Sequence, residues 1–136
     1  MKKTSVIRKE HFNSAHRLHN PNWSDEKNLS FYGKCNNPNF HGHNYDLEVT
    51  VTGITDEESG YLIDMKKLSN LIKKEVLDCF DHKNLNLDVV EFKNLNPTAE
   101  NISKVIYDKL RKQLDLKFEL KIKLYETERN IVVYPA

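Results

Sequence analysis

The chain has 136 residues and a formal charge of +1, with 21 basic and 20 acidic side chains. That length suits one domain with a real core and is short for two. The near-balance of charge excludes the broad basic field of a nucleic-acid binder, no apolar run is long enough to span a bilayer, and two cysteines make no disulfide framework.

In chain order, residues 4–12 alternate, with Val6, Arg8 and Glu10 on one side and Ser5, Ile7, Lys9 and His11 on the other. Val6, Ile7 and Phe12 favour a strand. Residues 17–40 are rich in Asn, Pro, Ser and Asp without a period, and read as a long loop of the functional kind. Trp23, Phe31, Tyr32 and Phe40 argue against disorder there. Residues 44–53 alternate more cleanly, with Tyr45, Leu47, Val49 and Val51 against Asp46, Glu48, Thr50 and Thr52, and Gly53 ends the strand. Asp64 can cap a helix over 65–80, striped by Leu68, Leu71, Ile72, Val76, Cys79 and Phe80. A second helix starts near Pro97-Thr98 and buries Ile102, Val105, Ile106 and Leu110, with Leu114 beyond. Residues 117–126 alternate again, and a short strand over 131–134 stops at Pro135. The order β-β-α-α-β-β predicts one α+β domain over 1–136: an antiparallel four-stranded sheet with two helices on one face.

The most informative stretch is His41-Gly42-His43. Two imidazoles two positions apart on an extended segment share a face, and Gly42 removes bulk between them. The pair opens a strand whose outward face is polar. A catalytic zinc takes three protein ligands and keeps a fourth position open. His16 is the favoured third ligand because it directly follows the first strand, and His19 is the rival, already in the loop. Cys35 reads either as a small buried hydrophobe or as a thiolate serving as base or ligand; its polar neighbours Lys34, Asn36 and Asn37 argue against core burial. Cys79, on an apolar stripe, reads as packing. Asp81-His82 reads equally as a helix-end pair and as an oriented acid–base pair. Glu126, at a strand end, can accept two hydrogen bonds from an amidine-like edge such as that of a pterin or guanine. Glu100, in a first helical turn, complements the helix dipole.

Several motifs in order resemble the 6-pyruvoyl-tetrahydropterin synthase family, which also includes the 6-carboxytetrahydropterin synthases. They are Phe12-Asn13-Ser14-Ala15-His16-Arg17-Leu18, the run from Gly33 through Cys35 and His41-Gly42-His43 to Tyr45, Leu62-Ile63-Asp64, Phe80 through Asn86, Pro97-Thr98-Ala99-Glu100-Asn101 and Tyr125-Glu126-Thr127. The resemblance implies the tunnelling fold, whose sheets join into a barrel in a homohexamer of two trimers, with active sites between subunits. It implies Zn2+ on His16, His41 and His43. It makes Cys35 the catalytic thiol with Asp81 and His82 as partners, and Glu126 the pterin anchor. Glu100, Thr98 and Thr127 become further substrate contacts. The implied reaction is conversion of 7,8-dihydroneopterin triphosphate to 6-pyruvoyl-tetrahydropterin with loss of triphosphate, in the cytoplasm, without nucleic-acid or membrane partners. The carboxy-forming branch on the queuosine route uses the same substrate and zinc and releases acetaldehyde. Five residues separate Cys35 from His41, as in the pyruvoyl enzymes and unlike the shorter carboxy spacing. The segment Asn96 to Glu100 looks more like the carboxy branch.

Overall fold

Strands β1 (Lys3–His16) and β2 (His41–Ile54) pair antiparallel along their whole length, from Lys3 opposite Ile54 to His16 opposite His41. The structure is a computed structural model and describes residues 2–136. Both strands run further than their alternation predicts, because the pattern breaks where polar side chains turn inward. Ser14 is buried, and its hydroxyl donates to the Phe80 carbonyl at 2.6 Å. Arg8 and Glu10 share the inward side with Val6 and pair with each other at 2.7 Å. Beyond them Phe12 stacks on Tyr45, with ring centroids 4.8 Å apart.

The predicted sheet needs correction. It has five strands, not four, and is mixed, in the order β3-β1-β2-β4-β5. The extra strand, β3 (Lys83–Asn84), runs parallel to β1 beside Ser14 and Ala15. Two residues are too few for a periodic signal to reveal. β4 (Glu119–Tyr125) pairs antiparallel with β2, and β5 (Ile131–Tyr134) with β4. Val49, Val51, Ile122 and Leu124 line the inward face and are buried.

The long segment between β1 and β2 is not a plain loop. It holds α1 (Asp25–Tyr32), capped by Ser24, and a 3-10 turn over Gly33–Asn36. Side-chain amides satisfy its irregular backbone, as burial of such backbone requires. Asn86 accepts from Arg17 N at 2.8 Å and donates to Arg17 O at 3.0 Å, while the buried Asn28 serves Asn20 in the same way.

The expected helix over 65–80 is α2 (Met65–Ile72), a π-helical segment Lys73–Leu77 and α3 (Asp78–Phe80) in one run. Asp64 caps it by accepting from Lys66 N at 2.9 Å. A short α4 (Leu85–Asp88) follows β3, and α5 (Ala99–Arg111) starts on the Thr98 cap. Leu68, Ile72, Val76 and Phe80 join Ile102, Ile106 and Leu110 over the inward face of the sheet in one core, with Cys79 packed at its margin. Burying each large apolar side chain contributes about 1.5–3 kcal/mol. Among the described residues, no helix is long and apolar enough to cross a membrane.

Candidate metal centre and active site

Strand parity builds the centre. His41 and His43 belong to the same inward set as Tyr45 and Leu47, and cross-strand pairing sets His16 opposite His41. The three rings form a nearly equilateral triangle, with centroids 4.6, 5.1 and 5.0 Å apart and planes steeply inclined. One nitrogen from each lies within 4.8 Å of the others. His16 is fully buried, and its Nδ1 lies 2.8 Å from the carbonyl oxygen of Pro97, directly before α5. A carbonyl only accepts, so Nδ1 carries the proton and Nε2 presents a lone pair.

Among the described residues, Nε2 of His16, both ring nitrogens of His41 and Nε2 of His43 are buried without a hydrogen-bond partner. A buried polar group left unsatisfied costs about 1–3 kcal/mol. A cation held by three neutral imidazoles removes that cost, so the donor set fits zinc. Burial favours the neutral rings of His16 and His41. It holds the His16 pKa at about 4, aided by neighbouring His41 and His43 and opposed by the Pro97 hydrogen bond. Burial and His43 also lower the pKa of His41.

His19 stands apart from this cluster. Its Nδ1 accepts from the Asn36 amide at 2.9 Å, which makes it part of the amide scaffold. Cys35 lies half-buried in the 3-10 turn, where its carbonyl accepts from Leu18 N at 2.9 Å. The Tyr45 hydroxyl is 3.5 Å from His16 Nδ1, and burial first, then Glu126 and Cys35, raise its pKa.

Glu126 follows β4 immediately, with one carboxylate oxygen 4.0 Å from His16 Nε2. Burial raises its pKa, His43 opposes the rise and Glu100 adds to it. Glu100 and Glu126 line a common recess with Arg129 and Asn130. Thr98 caps α5 by accepting from Asn101 N at 3.1 Å, and Thr127 closes the β4–β5 turn by accepting from Asn130 N at 2.9 Å.

Asp81 and His82 sit at the β1 edge. Asp81 accepts from Asn13 N at 2.9 Å and has a carboxylate oxygen 3.0 Å from His82 Nδ1, while His82 N donates to Asn13 O at 2.6 Å. His82 has φ 59°, a left-handed conformation uncommon outside glycine, and its side chain is 83% exposed. The Asn13 amide holds the Asp81 pKa below the ordinary aspartate value, against a small burial effect and with further help from His82 and His11. Among the described residues, neither member of the pair hydrogen-bonds to Cys35 or to the triad. Sequence reasoning missed the Pro97 carbonyl and the Tyr45 hydroxyl. The first has no side-chain signal, and the second hides in a strand's apolar alternation.

Residues 5–136 match the family model described as 6-pyruvoyl tetrahydropterin synthase. The human 6-pyruvoyl tetrahydrobiopterin synthase is 43% identical over 129 residues, covering 95% of this chain and 89% of the human one. The Dictyostelium discoideum protein of the same name is 43% identical over 135 residues, 98% of each chain. The solved structure of Caenorhabditis elegans 6-pyruvoyl tetrahydropterin synthase superposes with a TM-score of 0.93 at 38% identity, covering 98% of this chain and 96% of that one. A 6-carboxy-5,6,7,8-tetrahydropterin synthase of Rickettsia typhi matches at 30% identity over 110 residues, 68% of this chain and 80% of that one.

Proposed function

The chain belongs to the 6-pyruvoyl tetrahydropterin synthase family, and from that membership we propose that it is a zinc-dependent carbon–oxygen lyase. Its substrate is 7,8-dihydroneopterin triphosphate and its product 6-pyruvoyl-tetrahydropterin, with triphosphate eliminated. The observation that carries this reading is the triad of His16, His41 and His43, each of which has a buried ring nitrogen without a hydrogen-bond partner among the described residues.

A bound zinc ion supplies Lewis-acid stabilisation of charge developing on the substrate's side-chain oxygens. The protein supplies the rest. The Pro97 carbonyl fixes the His16 tautomer. Glu126 anchors the pterin by accepting two hydrogen bonds from its amidine-like edge, with Glu100, Thr98 and Thr127 around it. Cys35 takes a proton from the substrate side chain, and His82, oriented by Asp81, returns one on the other side.

In this reading the Asp81-His82 pair serves the Cys35 of a neighbouring copy, across an interface of the tunnelling-fold barrel in a homohexamer. The pair is exposed and rigidly held, which suits a role toward another subunit. The sheet is open at both sides, since β3 covers only two residues of β1 and β5 is terminal. Uncovered sheet edges favour pairing with further chains.

The carboxy-forming reading is weaker. Its relative matches less of the chain at lower identity than the pyruvoyl enzymes do. Zinc-loaded protein incubated with dihydroneopterin triphosphate and followed by mass spectrometry decides between them. The pyruvoyl product is expected; the carboxy product with acetaldehyde, or unchanged substrate, would overturn the proposal.

A further inference from the structure

A recess of about 540 Å³ is lined by residues that flank the imidazole triad in sequence, and it has a composition unusual for this chain. Arg17, His19 and Lys93 contribute to its wall, and among the described residues no Asp or Glu does. The chain has 20 acidic residues, so a wall without any is a selective surface. The recess shares segments with the triad. Arg17 follows His16 and Phe40 precedes His41 in sequence, and Pro97 holds His16; all three line it.

The hydrogen-bond inventory of the wall is one-sided. The Asn86 carbonyl oxygen is taken by Arg17 N, and that of Asn96 by His19 N at 3.1 Å. The Nδ2 groups of Asn86 and Asn96 are also taken, by Arg17 O and the Tyr32 hydroxyl, while four other groups keep donors to spare. Arg17 Nε donates to Asn36 O at 2.9 Å, which fixes the guanidinium and leaves Nη1 and Nη2 without a protein partner among the described residues. His19 accepts at Nδ1 from an amide nitrogen, so its proton is on Nε2. Tyr32 accepts at its hydroxyl oxygen from Asn96 Nδ2 at 3.1 Å, so its own proton remains to be donated. Among the described residues, Lys93 makes no ion pair. A concave wall that offers the Arg17 guanidinium, the Lys93 ammonium, an imidazole N–H and a phenol O–H, and no carboxylate, fits a polyanion with several terminal oxygens.

We propose that this recess binds phosphate oxyanions and receives the triphosphate arm of the substrate. The second half rests on the substrate reading given above. Arg17 offers a forked contact, Lys93 a mobile charge at the rim, and the Tyr32 hydroxyl a neutral donor. The arm would lie beside the triad, where its departure as triphosphate leaves the recess to be emptied before the next turnover.

The test titrates inorganic tripolyphosphate by calorimetry into zinc-loaded wild type, Lys93→Gln, Tyr32→Phe and, as a control, Lys67→Gln on the exposed side of α2. These positions leave the Asn86 and Asn36 scaffold intact, so the variants fold. Wild type and control are expected to bind alike, Lys93→Gln about tenfold and Tyr32→Phe about threefold more weakly. The same two variants should raise KM for dihydroneopterin triphosphate with kcat nearly kept. Absence of wild-type binding, or equal affinity in all four proteins, would overturn the proposal. Selective binding without any turnover keeps the recess and removes the pterin reading. Normal turnover with KM unmoved by either variant keeps the pterin reading and removes the recess.

Discussion

The carbonyl oxygen of Pro97 lies 2.8 Å from Nδ1 of His16, which locks one imidazole of the triad in the tautomer that faces its two neighbours. A residue 81 positions away in sequence thereby decides which nitrogen is free to ligate. Metal content is the first readout. Purified wild type should carry one zinc per chain by elemental analysis, and His16→Ala or His43→Ala should fall to background. His19→Ala should keep its zinc while losing about 1 kcal/mol of stability through the Asn36 contact. Chelation should lower the Tm of wild type, and zinc at a hundredfold excess over its Kd should restore about 2.7 kcal/mol.

The separation of Cys35 from Asp81 and His82 within one chain leads to a complementation experiment. Cys35→Ala and His82→Ala should each lose nearly all turnover while retaining zinc. Unfolding and refolding the two variants together should recover activity, because some sites then combine an intact thiol with an intact imidazole. Mixtures that stay as inactive as the parents would place both groups in one chain's site.

Glu126 faces the triad from the end of β4. Glu126→Ala should raise KM for the pterin substrate at least tenfold, equivalent to about 1.4 kcal/mol. Zinc content should be unchanged. An unmoved KM would remove the anchoring role.

Asp81 offers a pH signature. Its folded pKa is lowered, chiefly by the Asn13 N–H, so the contribution of its charge is present above the unfolded value and is lost as pH falls through the folded value. The stability difference between wild type and Asp81→Asn should therefore be constant near neutrality and vanish in acid below the ordinary aspartate range. Denaturant unfolding at a series of pH values measures it. A difference that persists at the lowest pH would assign the effect to something other than the carboxylate charge.

Legibility in the sequence followed the strength of the local signal. β5 occupies the expected residues 131–134, the Asp64 cap starts the first main helix as anticipated, and the second starts beside the expected Pro97-Thr98. Period and capping are local, and a sequence displays them. The imidazole triad was readable because strand parity puts His41 and His43 on one face, and His16 comes shortly after the expected first strand. What escaped detection depends on distant partners. β1 reaches His16 through polar Asn13 and Ser14 because Asp81 and the Phe80 carbonyl satisfy them from far along the chain. α1 lies in a segment without apolar period, stabilised by the Ser24 cap and a buried asparagine. β3 is a two-residue contact imposed by the edge of β1.

The wide turn at Lys73–Leu77 sets an angle. A π-helical segment accommodates a surplus residue within a coil, and each residue of an α-helix advances the chain by about 100°. Removing one residue there would regularise the coil and swing everything downstream. Phe80 would rotate off Phe12, and the Asp81 carboxylate off the Asn13 amide. The surplus residue thus works as an angular spacer, aiming Asp81 and His82 outward while the helix before it stays seated on the core.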